Sequence, residues 1–165
     1  MSTELQDAWT AGFFDGEGSV VVSVSSGKGQ TWTSLHVTLS QQDKEPLLLM
    51  KKWYGGNIVK GRSSGEWRKK AFTMCHRWVV YNEVAVQFLM KIRPYTILKS
   101  QEIDLAIQWP TRSEDGKQYR GAWNPMPKEV KEKRFQIRQG LVDIRSVRRQ
   151  KNELSDAKER KEVLS

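Results

Sequence analysis

The chain has 165 residues, a hydrophobic fraction of 38%, a formal net charge of +9 and one cysteine, Cys75. This length fits one domain, the composition excludes a disordered chain, and a single cysteine excludes an internal disulfide. No apolar run is long enough to cross a bilayer, and the N-terminus lacks the regions of a signal peptide. We therefore expect an intracellular protein, in the cytoplasm or an organelle, with no membrane partner.

The positive charge is concentrated in the middle of the chain. Residues 51–100 contain eleven lysines and arginines against two glutamates. A positive field of this density suits a polyanion, and nucleic acid is the leading candidate. The alternative is a basic surface that serves solubility alone. Strand-like residues and tryptophans lie between the charges, which favours the nucleic-acid interpretation.

The first predicted element is a helix over residues 3–14. Thr3 and Gln6 have the spacing of a capping box, and apolar residues follow at helical intervals. Gly16 and Gly18 are expected to end this helix. The valine-rich segment that follows alternates in a way that is typical of a β-strand.

The next segments predict two β-hairpins, with a helix between them and another after them. The four predicted strands cover residues 19–25, 31–40, 57–62 and 68–81. Asp43 is expected to cap the helix between the hairpins, and Gly55 with Gly56 to end it. Asn82 is expected to cap the next helix, which should stop just before Pro94.

The C-terminal third of the chain is predicted to be mostly helical. Residues 96–109 are expected to form a helix, and residues 111–126 a long loop. A basic helix is predicted over residues 127–150. The last residues, 151–165, consist mainly of Lys, Glu, Asp and Ser, which indicates a charged tail or a frayed helix.

This order of elements predicts an α+β fold of the type αββαββα. We expect a four-stranded antiparallel, saddle-like sheet with helices on one face and additional C-terminal helices. Residues 1–165 should form a single domain with its core over about 3–105, a helical extension over 106–150 and the charged tail. Because the helices cover only one face of the sheet, the other face is open to a partner.

Strand alternation predicts which side chains face that partner. The expected core set is Val20, Val22, Val24, Leu35, Val37 and Leu39. The open face carries cations that can hold phosphates, and short polar groups that can reach base edges in a major groove. The predicted DNA-contacting residues are Ser23, Ser25, Lys28, Gln30, Trp32, Ser34, His36, Thr38, Ser40, Lys60, Arg62, Trp67, Arg68, Lys69, Lys70, Thr73 and Arg77.

The segment at residues 10–18, TAGFFDGEG, resembles the LAGLIDADG motif of homing endonucleases. Four of its nine letters are identical, namely Ala11, Gly12, Asp15 and Gly18. At Phe13 and Phe14 one apolar residue replaces another, at Gly16 a small residue replaces a small one, and at Glu17 an acid replaces an acid. Thr10, in place of a leucine, is the one clear departure. The motif stands at the end of a helix before a hairpin, and the resemblance covers roughly residues 3–105.

The resemblance implies a homodimer. The chain has one copy of the motif, and the single-motif members of the family pair two copies of this helix across a dimer axis. Small residues such as Ala11 and Gly12 let two helices approach closely, which a helix with merely solvent-exposed acids at its end would not require. The predicted dimer interface consists of Leu5, Ala8, Trp9, Ala11, Gly12 and Phe13.

The resemblance also assigns catalytic residues. Glu17 matches the catalytic carboxylate that binds metal, and Gly16 would offer its backbone carbonyl to the same Mg²⁺, which prefers such oxygen ligands. Gln41 matches a polar residue that orders solvent near the metals, and Lys99 a basic residue near the attacking water. Asp15 matches an acid that ties the helix end to the structure. The alternatives are a surface position for Lys99 and a role at the start of a helix for Gln41.

We therefore expect a sequence-specific, metal-dependent homing endonuclease that hydrolyses double-stranded DNA at a long pseudo-palindromic site. The resemblance also suggests a gene inside an intron or intein. Two alternatives use the same fold: an RNA maturase that helps its own intron to splice, and a DNA-binding regulator that no longer cleaves. The joint presence of Glu17, Gln41 and Lys99 favours the enzyme.

Overall fold

The structure is a computed structural model, and it describes residues 2–27, 30–61, 75–113, 115–117, 119 and 125–163. The helices of this part of the chain are α1 (Glu4–Glu17), α2 (Glu45–Tyr54), α3 (Asn82–Ile92), α4 (Ser100–Ala106) and α5 (Lys128–Val163). Its strands are β1 (Gly18–Gly27), β2 (Gln30–Gln41), β3 (Asn57–Gly61) and β4 (Cys75–Tyr81). A single 3₁₀ turn, Arg93–Tyr95, follows α3 within the described residues.

The strands form one antiparallel sheet in the order β1-β2-β4-β3. Val22 lies opposite Leu35 across the first hairpin, and Leu39 lies opposite Trp78 across the two central strands. Residues that face each other across a ladder project to the same side of the sheet. The predicted α+β fold with its four-stranded antiparallel sheet is confirmed.

The core lies between this side of the sheet and the helices. The ring of Phe88 on α3 is at its centre, with ring centroids 5.8 Å from Phe14, 5.0 Å from Tyr54 and 5.0 Å from Trp78. Five of the six predicted core residues of the first hairpin are buried, and Val24 is exposed. Burial along β1 ends at Val22, because the hairpin continues beyond the helices that cover its first half.

Helix α1 is longer than predicted and ends at Glu17 rather than at residue 14. The capping box at Thr3 is confirmed. Gly16 lies inside the helix, and Gly18 alone caps its end, with its N–H donating to the carbonyl of Phe14. A Cβ at Gly18 would lie 2.1 Å from the ring of Phe14, so the chain passes from helix to strand without room for a side chain.

Asn82 does not cap α3 as predicted, because the N-cap residue is Tyr81. The backbone of Asn82 has a positive φ of 44°, a conformation that Asn tolerates better than most residues. Its Oδ1 accepts hydrogen bonds from the Leu35 N–H at 3.1 Å and the Ser34 hydroxyl at 3.3 Å. The amide therefore ties the start of α3 to β2.

The predicted helix over residues 96–109 is shortened to α4. Residues 97–99 form a bend, because the carboxylate of Asp15 accepts hydrogen bonds from their three N–H groups. Helix α4 therefore begins only at Ser100. The N–H of Ile103 donates to the carbonyl of Lys99 at 3.0 Å, which closes the first turn of the helix.

Helix α5 is longer than predicted and continues through the segment expected as a charged tail. Ile137 and Leu141 join the core, and a Cβ at Gly140 would lie 2.6 Å from the Leu105 side chain. The guanidinium of Arg134 donates to the carbonyls of Pro110 and Thr33. The C-terminal extension therefore packs on the same core as the sheet. Within the described residues, no helix is long and apolar enough to cross a membrane.

Candidate active site and nucleic-acid interface

The C-terminal end of α1 presents one acidic side chain to solvent. Glu17 is the last residue of the helix and is exposed, and its carboxylate makes no hydrogen bond or ion pair with the rest of the described residues. Gly18 lies opposite Leu39, so Gln41, two residues further along β2, lies beside the same junction. The side chain of Gln41 is half-buried, and its Oε1 accepts the Gln42 N–H at 3.0 Å.

The other acid of the motif, Asp15, is fully engaged. Its Oδ2 accepts the N–H groups of Ile97 at 2.8 Å and Leu98 at 3.1 Å, and its Oδ1 accepts the N–H of Lys99 at 3.0 Å. These bonds tie the end of α1 to the bend before α4. This is the structural tie that the resemblance predicted for Asp15.

Lys99 also binds the end of α1, through its side chain. Its Nζ donates to the carbonyl of Phe14 at 3.0 Å and to the carbonyl of Asp15. Carbonyls in the last turn of a helix can accept donors from outside the helix, and a cation there interacts favourably with the helix dipole. Burial lowers the pKa of Lys99, and nearby carboxylates, Glu17 among them, oppose that shift. Lys99 is therefore held at the helix end within electrostatic range of Glu17.

The donor set at this helix end fits a magnesium ion. Glu17 supplies a carboxylate without a partner in the described chain, and Gly16 supplies a carbonyl in the last helical turn. Mg²⁺ prefers such oxygen ligands. Among the described residues, no group of three or more His, Cys, Asp or Glu side chains could hold a metal.

One face of α1 is exposed and leads to this helix end. Leu5 is 81% exposed and Trp9 is 45% exposed. Gly12 and Gly16 continue the same face at helical spacing, and a Cβ at either glycine would contact nothing within 4 Å. The face thus combines large apolar residues with two positions where another surface can approach the backbone.

The remaining predicted interface residues lie elsewhere on α1. Ala11 is fully buried in the core of its own chain, so it is not on the exposed face. The reason is the helical rotation of about 100° per residue, which turns Ala11 to the side of Phe14. Ala8 and Phe13 are half-buried at the edge of the face, and the Phe13 ring lies 5.3 Å from that of Trp9.

The face of the sheet turned away from the helices is polar along β1 and β2. The predicted residues that the strand register places on it are Ser23, Ser25, Trp32, Ser34, His36, Thr38, Ser40 and Arg77. The Ser23 hydroxyl lies 2.9 Å from Nε2 of His36. Burial lowers the pKa of His36, which keeps the ring neutral at pH 7 and able to donate and accept hydrogen bonds. Arg77 donates to the Ser40 hydroxyl at 3.3 Å.

Lys60 is on the opposite face from the one predicted. It lies opposite His76, and so shares the helix-side face with Ile58 and Trp78, whereas Val59 lies opposite Arg77. Strand side chains alternate with a period of two, so an error of one residue in register moves a side chain to the other face.

Several predicted contacts cannot be placed on either face. Gln30 is described through its backbone, which pairs with Gly27. The predicted contacts that lie outside the described residues are Lys28, Arg62, Trp67, Arg68, Lys69, Lys70 and Thr73.

Tyr81 is an open-face residue that the sequence analysis missed. It is exposed, lies opposite His36, and its ring makes an edge contact with the imidazole at a centroid distance of 4.7 Å. Its parity matches that of Cys75 and Arg77 along β4, so the alternation could have indicated it.

Comparison with known proteins gives matches in structure and not in sequence. No protein-family model matches the chain, and no curated protein does. The homing endonuclease I-CvuI, in complex with its target in the presence of Ca²⁺, matches with a TM-score of 0.52 and 24% identity over 64% of this chain and 65% of that one. I-CvuI with the I-CreI target and Mg²⁺, its DNA not cleaved, gives the same TM-score and coverage at 25% identity.

A third match is the archaeal intron-encoded homing endonuclease I-Vdi141I complexed with DNA. It has a TM-score of 0.51 and 19% identity over 64% of this chain and 66% of that one. The chain thus spans about two thirds or slightly less of these enzymes. The described chain has the fold of the LAGLIDADG homing endonucleases. The resemblance that residues 10–18 predicted is confirmed, and the single motif fits the single-domain members of that family.

The tie made by Asp15 can be tested by stability. Asp15→Ala leaves three N–H groups without their acceptor and should lower the free energy of unfolding by about 1.5–3 kcal/mol. Asp43→Ala is the control. Asp43 does not cap α2 as predicted, because the N-cap residue is Lys44, and it accepts a single N–H bond, from Glu45 at 3.0 Å, so its loss should cost about 1 kcal/mol. Urea unfolding followed by circular dichroism measures both. Equal losses would contradict the special role of Asp15.

Proposed function

We propose that the protein is a metal-dependent, site-specific endonuclease for double-stranded DNA that acts as a homodimer. The observation that carries this proposal is the exposed carboxylate of Glu17, without a hydrogen-bonding partner in the described chain and within electrostatic range of the half-buried Lys99. Both groups lie at the end of an exposed apolar face of α1. A free carboxylate next to a fixed cation suits chemistry on a phosphate better than it suits stability.

The structural relatives support the class of substrate. I-CvuI is a homing endonuclease in complex with a DNA target, in the presence of Ca²⁺ or Mg²⁺. I-Vdi141I is likewise complexed with DNA. We infer double-stranded DNA as the substrate of this chain and a divalent cation as its cofactor.

In the proposed dimer, the exposed faces of two α1 helices pack together. Gly12 and Gly16 allow close approach, and Leu5 and Trp9 become buried at the interface. Two Glu17 side chains then meet near the dimer axis, where they and the Gly16 carbonyls hold magnesium. When bound, Mg²⁺ supplies an activated water and stabilises the charge that develops on the leaving oxygen.

The protein's own groups position the reaction. Lys99 is held by the carbonyls of Phe14 and Asp15, so its charge stays beside the phosphate that approaches Glu17. Gln41 lies at the adjacent strand end and orients water through its amide. The negative end of α1 is neutralised by Lys99, which reduces its repulsion of the DNA backbone.

The open face of the sheet reads the target. A two-stranded ribbon fits the major groove of B-DNA, where hydroxyls and a neutral imidazole can reach base edges. The deep, narrow major groove of an RNA helix does not admit such a ribbon, which favours DNA over the RNA maturase alternative. A two-fold dimer presents the same face twice, so the target is long and pseudo-palindromic.

Glu17→Gln tests the catalytic proposal, on a duplex that the wild type selects from a randomised library. The amide keeps the side-chain volume but removes the charge that attracts Mg²⁺. Magnesium-dependent cleavage should fall by about two orders of magnitude or more, while affinity for the duplex in Ca²⁺ is retained. Glu45→Gln removes an exposed acid from the first turn of α2 and is the control.

The two readouts separate the alternatives. Wild-type cleavage by Glu17→Gln would show that this carboxylate does not hold the catalytic metal. Joint loss of binding and cleavage would make Glu17 structural. A wild type that binds its duplex but never cuts it would support the non-cleaving regulator.

Gly12→Leu tests the dimer. The isolated chain has open space at this position, and a helix interior favours Leu over Gly by about 1 kcal/mol, so the fold should persist. The larger side chain should separate the paired helices and shift sedimentation from dimer to monomer. Lys52→Leu adds the same side chain to an exposed position of α2 and controls for non-specific hydrophobic association. A wild-type monomer with full cleavage activity would refute the proposed assembly.

Salt dependence tests which face binds DNA. Arg77→Ala should flatten the slope of log affinity against log salt concentration by about one unit, because one phosphate contact is lost. Lys60→Ala removes a cation from the helix-side face of the same hairpin and should leave the slope unchanged. The reverse result would place the DNA on the other side of the sheet.

A further inference from the structure

An ion-pair cluster around a buried glutamate joins α5 to α4, and its two arginines are half-buried. Glu102 is 3% exposed, and its two carboxylate oxygens accept from Arg145 and Arg148 at 3.2 Å each. Arg148 also donates through Nη2 to the carbonyl of Leu98 at 2.8 Å. The guanidinium of Arg148 therefore binds a helix carboxylate and a bend carbonyl at the same time.

This cluster lies directly behind the bend that carries Lys99. Asp15 binds the N–H groups of residues 97–99 from the side of α1. Arg148 binds the carbonyl in the middle of the same bend from the side of α5. The backbone of the bend is thus held between two charged groups from distant parts of the chain, and the Lys99 side chain leaves it toward the end of α1.

We propose that Arg148, together with Glu102 and Arg145, is a positioning cluster for Lys99 in the endonuclease reaction. The inference rests on the proposed function, because it concerns the lysine of that site. The cluster acts through the backbone of residues 97–99 and does not touch the substrate. It gives helix α5 a role in catalysis that the sequence motif does not cover.

Arginine is chemically suited to this role. Its planar fork donates several fixed hydrogen bonds, so one side chain can serve two acceptors whose relative position is thereby set. Lysine carries the same charge without this geometry. Burial lowers the pKa of Lys99, and Glu102 is the carboxylate that most strongly opposes this shift. The charge of Arg148 acts in the opposite direction and adds to the lowering of the pKa of Lys99, so the role of the cluster is to fix the position of the bend.

Positioning of this kind should affect the chemical step more than DNA binding. A displacement of a catalytic group by about 1 Å can cost about a hundredfold in rate. The DNA-facing side chains are on the sheet, on the side away from the helices. Loss of the cluster should consequently lower the cleavage rate constant at nearly unchanged affinity.

The test compares Arg148→Met with Arg149→Met in the full-length protein. Both changes remove a guanidinium from α5 and keep an unbranched side chain. Arg149 pairs with Glu153 at 3.0 Å on the exposed side of the helix and serves as the control. The measurements are the single-turnover cleavage rate in Mg²⁺, duplex affinity in Ca²⁺, and amide hydrogen exchange of residues 97–99.

We expect Arg148→Met to lower the cleavage rate by about ten- to a hundredfold, to keep affinity within about twofold, and to speed amide exchange in the bend. Arg149→Met should resemble wild type in all three measurements. Arg148→Lys should recover part of the rate, because its amine can still reach one of the two acceptors. An unchanged rate in Arg148→Met, or an equal loss of rate and affinity, would overturn the proposal.

If Arg148→Met loses its folded circular-dichroism spectrum, Arg148→Lys and Glu102→Gln decide the question, because both keep a hydrogen-bonding group. Wild-type rates in these two variants would overturn the proposal. The outcome is separable from the proposed function. That function fails if the wild type does not cleave or if Glu17→Gln cleaves normally, whereas unchanged amide exchange in a folded Arg148 variant refutes the positioning cluster alone.

Discussion

The reciprocal contact between the end of α1 and residues 97–99 is the constraint on which the rest of the structure depends. A helix that ends within a fold leaves carbonyls that can accept outside donors, and Lys99 donates to two of them through Nζ. The bend before α4 leaves N–H groups that need acceptors, and Asp15 supplies them. Each side satisfies the polar groups of the other, so the first helix and the last third of the chain are fixed together.

This contact divides the two acids of the motif between different tasks. Successive helix residues are turned by about 100°, so Asp15 and Glu17 project to nearly opposite sides of α1. Asp15 turns toward α4 and becomes fully hydrogen-bonded, while Glu17 turns to solvent and keeps its carboxylate free within the described chain. A hydrogen-bonded structural acid and a solvent-exposed acid can therefore stand two residues apart, because the backbone between them is held in place by these contacts.

The sequence predicted those features that depend on local periodicity. The order of elements, the capping box at Thr3 and the core side of the first hairpin follow from patterns of a few residues. The errors arose where a distant segment decides. The face of Lys60 depends on pairing with β4, the burial of Ala11 depends on which side of α1 meets the core, and the bend that shortens α4 depends on an acid more than 80 residues earlier. The contribution of α5 was invisible because its ion pairs join segments far apart in sequence.

Net charge alone overstates how much of the protein's basic character is directed at a polyanion. Arg145 and Arg148 are committed to Glu102, and Arg93 is committed to Asp104 through two hydrogen bonds. Among the described strand residues, Arg77 is the one cation whose register places it on the open face of the sheet. The other predicted contacts on that face are mostly hydroxyls and a neutral imidazole, groups that form directional hydrogen bonds but neutralise no phosphate. On the proposed DNA target, this surface is therefore suited to discriminating between bases, and the non-specific part of the affinity must come largely from cations at other positions of the chain.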